Sequence, residues 1–176
     1  LCTERLMESV PRMGYRIAPV GLCELMDCLE VRLILETESV RRACMNRTAE
    51  RIDRLSDLIV RYEHSIEAGE KILGWINSAD YIHMFLAEMS GNTVLVRSIP
   101  PLIDLIRRAS IRLIHEGKLK PKDQLLHISI LKAVRDGDSE SAQKLMREDI
   151  LTLKNVFLST EERGMAAIRS APAITT

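Results

Sequence analysis

His83, His127 and Asp149 carry the side chains of this sequence best suited to metal chemistry. Imidazole nitrogens and carboxylate oxygens are ligands for first-row divalent ions. Each of the three falls on a different segment with helical periodicity, and separate helices can deliver ligands to one buried point. Taken singly, each has an ordinary structural reading: His83 as a satisfied, half-buried histidine, His127 as a structural one, and Asp149 as a surface acid between Glu148 and Ile150. Asp80-Tyr81-Ile82-His83 adds a carboxylate three residues before an imidazole, a neighbour on one helix face. That spacing is half of a di-iron carboxylate pattern, which needs a second acid-x-x-His helix. The residues three before His64, His115 and His127 are Arg61, Arg112 and Gln124, so the second half is missing. The sequence also holds no P-loop, no GxGxxG and no Gly-x-Ser-x-Gly turn. No catalytic constellation assembles, and a non-enzymatic function is expected. His64 and His115 stand near helix ends beside charged residues, where a solvent-facing imidazolium suits a helix C-terminus.

The elements that must position these residues are almost all helices. Leu6–Val10 and Tyr15–Val20 flank Pro11-Arg12-Met13-Gly14, which reads as a β-hairpin around a Pro/Gly turn. Two strands alone cannot hold a sheet together, so the hairpin needs a partner the sequence does not contain. From Leu22 the period turns helical, with Leu22, Leu25, Met26, Leu29 and Leu33 marking a first helix over about 21–45. Thr48 is a plausible N-cap for a second, striped by Ile52, Leu55, Ile59, Tyr62 and Ile66. A third runs from about Lys71 to Met89 and stops at Ser90-Gly91-Asn92. Thr93–Glu116 is periodic but carries Pro100-Pro101, which predicts a kink or a break. Gly117–Lys120 reads as a basic loop, Pro121 opens a helix through Val134, and Asp138 caps the last helix, Ser139 to about Ser159. Residues 164–176 read as a flexible tail.

Composition narrows the class. The 25 Lys and Arg balance the 25 Asp and Glu among 176 residues, for a formal net charge of +0. A self-sufficient nucleic-acid module usually carries a basic excess. Only the first 16 residues lean basic, through Arg5, Arg12 and Arg16. Cys2, Cys23, Cys28 and Cys44 show no CxxC spacing, which suits reduced thiols in a cytoplasmic protein. No apolar run reaches the roughly 18 residues of a membrane span, and no signal peptide is visible. The sequence begins at Leu1, without Met and in mid-pattern, as expected of a segment of a longer protein.

Several stretches, in order, resemble one known family. Glu4 to Pro19 resembles the wing of a GntR-family winged-helix regulator, a hairpin of the form EGLVE…PRRGYRVAP. Leu25–Glu36 is similar to the first helix of the FadR-type C-terminal effector domain (FCD), with its Arg-x-x-x-Glu at Arg32 and Glu36. His83–Asn92 resembles the domain's FHRALAEASGN motif, and His127–Asp138, with Ala142 and Met146, follows its H..IL.A...GD...A...M motif. The resemblance covers about residues 4 to 158. It implies an all-α antiparallel bundle of six or seven helices over 20–163, preceded by a wing remnant over 1–19. The helix-turn-helix that would precede the wing is not in the sequence. The implied function is a ligand-responsive transcriptional regulator that dimerises, senses a small organic acid and meets DNA through the missing domain. Arg12 and Arg16 are then the wing's candidate DNA contacts. The alternative is a helical dimerisation scaffold with a degenerate, metal-free pocket.

Many members of that family hold a divalent metal on one Asp and three His. Here His83 and His127 match two of the histidines. The family Asp stands four residues before the first His, where this sequence has Ala79, and Asp80 is displaced by one. An i−4 residue lies about 40° from His83 around the helix and an i−3 residue about 60° away on the other side. A small rotation would let Asp80 substitute. Asp149 occupies the last His position. The implied cofactor is therefore a divalent ion (Zn, Ni or Mn-like) on His83, His127, Asp149 and Asp80, or none. Two carboxylates would bring its net charge near zero and weaken its pull on an anionic effector. Arg32 would then hold the effector carboxylate by forked hydrogen bonds, or it forms an intrahelical pair with Glu36. Both readings of Arg32 stand.

Overall fold

A computed structural model of the chain describes residues 7–12, 14–17, 20–67, 72–115 and 124–170. The hairpin forms as the pattern predicts: β1 (Met7–Val10) pairs antiparallel with β2 (Gly14–Ile17), with Glu8 opposite Arg16 and Val10 opposite Gly14. The turn between them needs left-handed backbone, at Arg12 (φ 65°) and at Gly14 (φ 93°).

Six helices follow among the described residues: α1 (Leu22–Met45), α2 (Ala49–Glu67), α3 (Ile72–Met89), α4 (Thr93–His115), α5 (Gln124–Asp136) and α6 (Ser139–Ser170). The all-α bundle expected from the sequence is what forms. α1 is its central member, touching α3, α4, α5 and α6, while α2 lies against α5. Leu25, Leu29 and Val40 of α1 join Leu55 and Ile59 of α2, Ile82 and Leu86 of α3, Leu131 of α5, and Met146 and Ile150 of α6 in one core. No described helix is long and apolar enough to cross a membrane.

The helix ends follow local chemistry. The Arg51 amide donates to Thr48 Oγ1 at 3.3 Å, and the Ser141 amide to Asp138 Oδ1 at 3.0 Å, so both predicted N-caps are in place. α3 ends at Met89, and Gly91 takes φ 68°, a conformation glycine adopts without a Cβ clash. Asn92 then caps α4, its Oδ1 accepting from the Val94 amide at 2.9 Å.

Two expectations are corrected. Of the kink or break expected at Pro100-Pro101, the break does not occur, and α4 is helical from Thr93 to His115. Each internal proline costs about 3 kcal/mol. Against that, Ile99, Ile103 and Ile106 are all buried on one face of α4, and each such burial is worth about 1.5–3 kcal/mol. Tertiary packing outweighs the local rule. α6 continues to Ser170 rather than ending near Ser159. Glu161, Glu162, Arg163, Met165, Ala166 and Ala167 are strong helix formers, and they outweigh Gly164. The remainder of the expected tail, 171–176, lies outside the described residues, as do residues 116–123 with the basic loop and Pro121.

Candidate functional site

Five helices send polar side chains into one place in the bundle. α1 supplies Arg32 and Glu36, one turn apart, with side chains 4% and 1% exposed. α3 supplies His83, α5 His127, α6 Asp149 and α2 Tyr62. Gathering Arg32, Glu36, His83, His127 and Asp149 in the interior is tolerable only when they satisfy one another, and the contacts run as a chain. Arg32 Nε donates to Glu36 Oε1. Glu36 Oε2 lies 2.5 Å from His83 Nδ1, at ion-pair distance but off the hydrogen-bond line. On the far side of that ring, His83 Nε2 faces Asp149 Oδ2 at 3.6 Å. His127 Nε2 faces the other oxygen, Oδ1, at 3.3 Å. His127 Nδ1 lies 3.3 Å from the Tyr62 hydroxyl. The two imidazoles stand edge to face, 5.3 Å between centroids.

The electrostatics follow from that order. Burial pushes the Glu36 carboxyl up, but Arg32 and His83 beside it overcome this and hold it down at about 2. Burial likewise opposes ionisation of Asp149, and His127, His83 and Arg32 bring it to about 2. For His83, burial disfavours the imidazolium, yet the Glu36 carboxylate wins and the pKa is raised. The site thus keeps both carboxylates ionised in the interior.

His83, His127 and Asp149 each offer one ligand atom, all within 4.8 Å of one another. Their spacing suits a shared ion. A charge-assisted N–H···O bond is about 2.7–2.9 Å, shorter than either imidazole-to-Asp149 separation. Two ligands each about 2.0–2.2 Å from one tetrahedral ion stand about 3.3–3.6 Å apart; each imidazole meets its own Asp149 oxygen at such a separation, and the three ligand atoms as a set lie within 4.8 Å. The donor set, two imidazoles and a carboxylate, is one that Zn, Ni and Mn all accept.

Three of the four residues expected at a metal are therefore together, and Asp80 is not among them. Its carboxylate accepts from Arg107 Nε of α4 at 2.6 Å, while burial raises its pKa against the pull of that arginine. The i−3 offset from His83 turns Asp80 toward α4. Arg32 sits in the site but is engaged by Glu36, so the intrahelical pair forms. Arg12 is exposed on the hairpin turn, Arg16 lies in β2, and the exposed His64 stands 3.8 Å from Glu67, solvent-facing as predicted. The side chain of His115 lies outside the described residues. Glu36 as partner of His83, and Tyr62 as partner of His127, went unread in the sequence. For Tyr62 the available signal was a hydroxyl on a core stripe, which needs a partner once buried.

Comparison with known proteins bears on the same region. The model of the family described as FCD domain matches residues 27–152, which include all six residues of the cluster. The Glc operon transcriptional activator of Escherichia coli K12 is 32% identical over 159 residues, 84% of this chain and 60% of that protein. The HTH-type transcriptional repressor NanR of Klebsiella aerogenes is 28% identical over 133 residues, 74% of this chain and 48% of that protein. The chain thus spans about half to three fifths of these relatives' length. Among solved structures, E. coli McbR/YncC superposes with a TM-score of 0.77 at 18% identity, covering 92% of this chain and 76% of that one. A GntR family member from Pseudomonas syringae pv. tomato gives 0.64 at 19% identity, covering 93% and 69%. At such identities the superpositions establish a shared fold.

Proposed function

The chain belongs to the FCD-domain family of GntR-type transcriptional regulators, and from that premise we propose that it is the effector-binding and dimerisation domain of a ligand-responsive DNA-binding regulator. The observation that carries the reading is the buried convergence of His83, His127 and Asp149 beside the Arg32–Glu36 pair. A bundle has no packing reason to bury that many ionisable groups at one point. A binding site does.

The effector we propose is a small organic acid. His83, His127 and Asp149 would hold a divalent ion, which supplies a positive centre for a carboxylate. With Asp80 held by Arg107, one carboxylate rather than two faces the ion, so a net positive charge remains to attract an anion. Arg32 and Glu36 fix the first helix against the third through His83. An effector seated among α1, α3, α5 and α6 would favour one relative placement of these helices. In a homodimer this shifts the relative placement of two DNA-binding domains whose wings carry Arg12 and Arg16. Such a shift requires the effector to bind one state better than the other. The proposed setting is the cytoplasm.

One observation favours a second reading. Arg32, Glu36, His83, Asp149 and His127 form a continuous chain of opposite charges, which is also what a self-satisfied, metal-free scaffold would bury. Thermal-shift measurements against small organic acids, with and without divalent metals, separate the two. A ligand that binds only the folded state must raise the melting temperature, so the sensor predicts a rise with at least one acid–metal combination. No response to any of them supports the scaffold.

A further inference from the structure

We infer that Glu36 and Tyr62 are positioning residues that set the two imidazole tautomers, so that both Nε2 atoms present lone pairs to the space in front of Asp149. The inference rests on the metal-binding reading of that cluster and adds two residues outside the ligand set.

The two imidazoles share one arrangement. In each ring Nε2 faces Asp149, and in each the opposite nitrogen, Nδ1, meets an oxygen from another helix. For His83 that oxygen is Glu36 Oε2 of α1, and for His127 it is the Tyr62 hydroxyl of α2. A neutral imidazole carries one proton, and the hydrogen bond made by one nitrogen decides what the other can do. Glu36 Oε2 and His83 Nδ1 are buried, 2.5 Å apart, and neither has another hydrogen-bond partner. A small turn of the ring that puts the proton on Nδ1 and donates it to Glu36 satisfies both atoms. Nε2 is then unprotonated. Donation from His127 Nδ1 to the Tyr62 oxygen does the same for the second ring.

Arg32 has a place in this scheme. It holds the other Glu36 oxygen, so the carboxylate presents Oε2 to His83 in one orientation. The run Arg32–Glu36–His83 on one side and Tyr62–His127 on the other meets at Asp149. Five helices, α1, α2, α3, α5 and α6, are thereby tied to one point. Outer partners of metal-bound histidines of this kind fix ring orientation and raise ligand basicity, and their loss typically costs about 10- to 100-fold in metal affinity.

The test uses two readouts on the full chain, in the wild type and in the Glu36→Gln and Tyr62→Phe variants. The first is long-range 1H–15N NMR of the histidine rings in chelator-treated protein, at a pH high enough that His83, whose pKa is raised, is neutral; it reports the protonated nitrogen without any metal. Wild type is expected to show Nδ1–H at His83 and His127, with the His83 pattern changed by Glu36→Gln and the His127 pattern by Tyr62→Phe. The second is competition titration of Co(II) against a chromophoric chelator, where each variant is expected to bind about tenfold or more weakly than wild type. Nε2–H tautomers in the wild type, or ring spectra unmoved by both variants, overturn the positioning roles. Absence of Co(II) binding in the wild type overturns the metal reading instead, leaving the tautomer result to decide the hydrogen-bond roles. Tyr62→Phe leaves no orphaned charge, so it remains informative if Glu36→Gln folds poorly.

Discussion

Arg32 and Glu36 form a buried ion pair one turn apart on α1, and Glu36 is the only acid that Arg32 contacts directly among the described residues. The pair is held where water cannot replace either partner. Removing one member therefore costs more than the pair itself contributes, because the other charge is left buried and alone.

Glu36→Ala should destabilise the fold by about 3–5 kcal/mol, the range for breaking a buried pair. The double replacement Arg32→Met with Glu36→Leu should be milder, since neither member of the pair is left charged and alone and the remaining cost is the lost partner of His83 Nδ1. Urea denaturation of the three proteins measures this. A single variant within about 1 kcal/mol of wild type would mean that the pair behaves as a surface one.

Pro101 is exposed on α4, and its ring removes the amide that would bond the Arg97 carbonyl. Pro101→Ala should restore that bond and raise stability by about 2 kcal/mol. This is the roughly 3 kcal/mol helix-interior cost of proline less about 1 kcal/mol from the freer unfolded chain. The melting temperature is the readout, and a fall would show that the fold has adapted to the proline.

The cysteines give a prediction with pH. Burial pushes the Cys28 thiol up from its ordinary 9.0 to about 11, with Arg32 opposing. Its Sγ lies 3.5 Å from the Leu102 carbonyl, whereas Cys23 is exposed. The thiolate is the reactive form, so at pH 8 iodoacetamide should label Cys23 first and Cys28 only after unfolding. Because the folded pKa is raised, the stabilisation linked to Cys28 is complete below pH 9 and is lost as pH rises through about 11. Mass spectrometry of timed samples settles the order, and equal labelling rates in folded protein contradict it.

Much of this was legible in the residues because it is local. The hairpin turn, the caps at Thr48 and Asp138, and the stop at Ser90-Gly91-Asn92 each depend on a few consecutive side chains. Helical periodicity placed His83, His127 and Asp149 on separate helices, and it was the resemblance of their motifs to the FCD family that made them legible as a set. What escaped depended on contacts between helices. Pro100-Pro101 obeys a local rule that the burial of Ile99 and Ile103 overrides. Spacing makes Glu36 a neighbour of Arg32 but says nothing of His83 on another helix. Asp80 has a metal ligand's chemistry and i−3 spacing, and only the position of Arg107 on α4 shows why it turns away.

In the proposed sensor, His83, His127 and Asp149 hold one divalent ion inside the bundle. Calorimetric titration of chelator-treated protein with Zn(II), Ni(II) and Mn(II), in the wild type and in Asp149→Ala, measures this. One ion per chain is expected for at least one of these metals, with affinity lowered about tenfold or more, the scale on which even outer partners of metal ligands act, when Asp149 is removed. No binding in the wild type, or stoichiometric binding unchanged in Asp149→Ala, would contradict it.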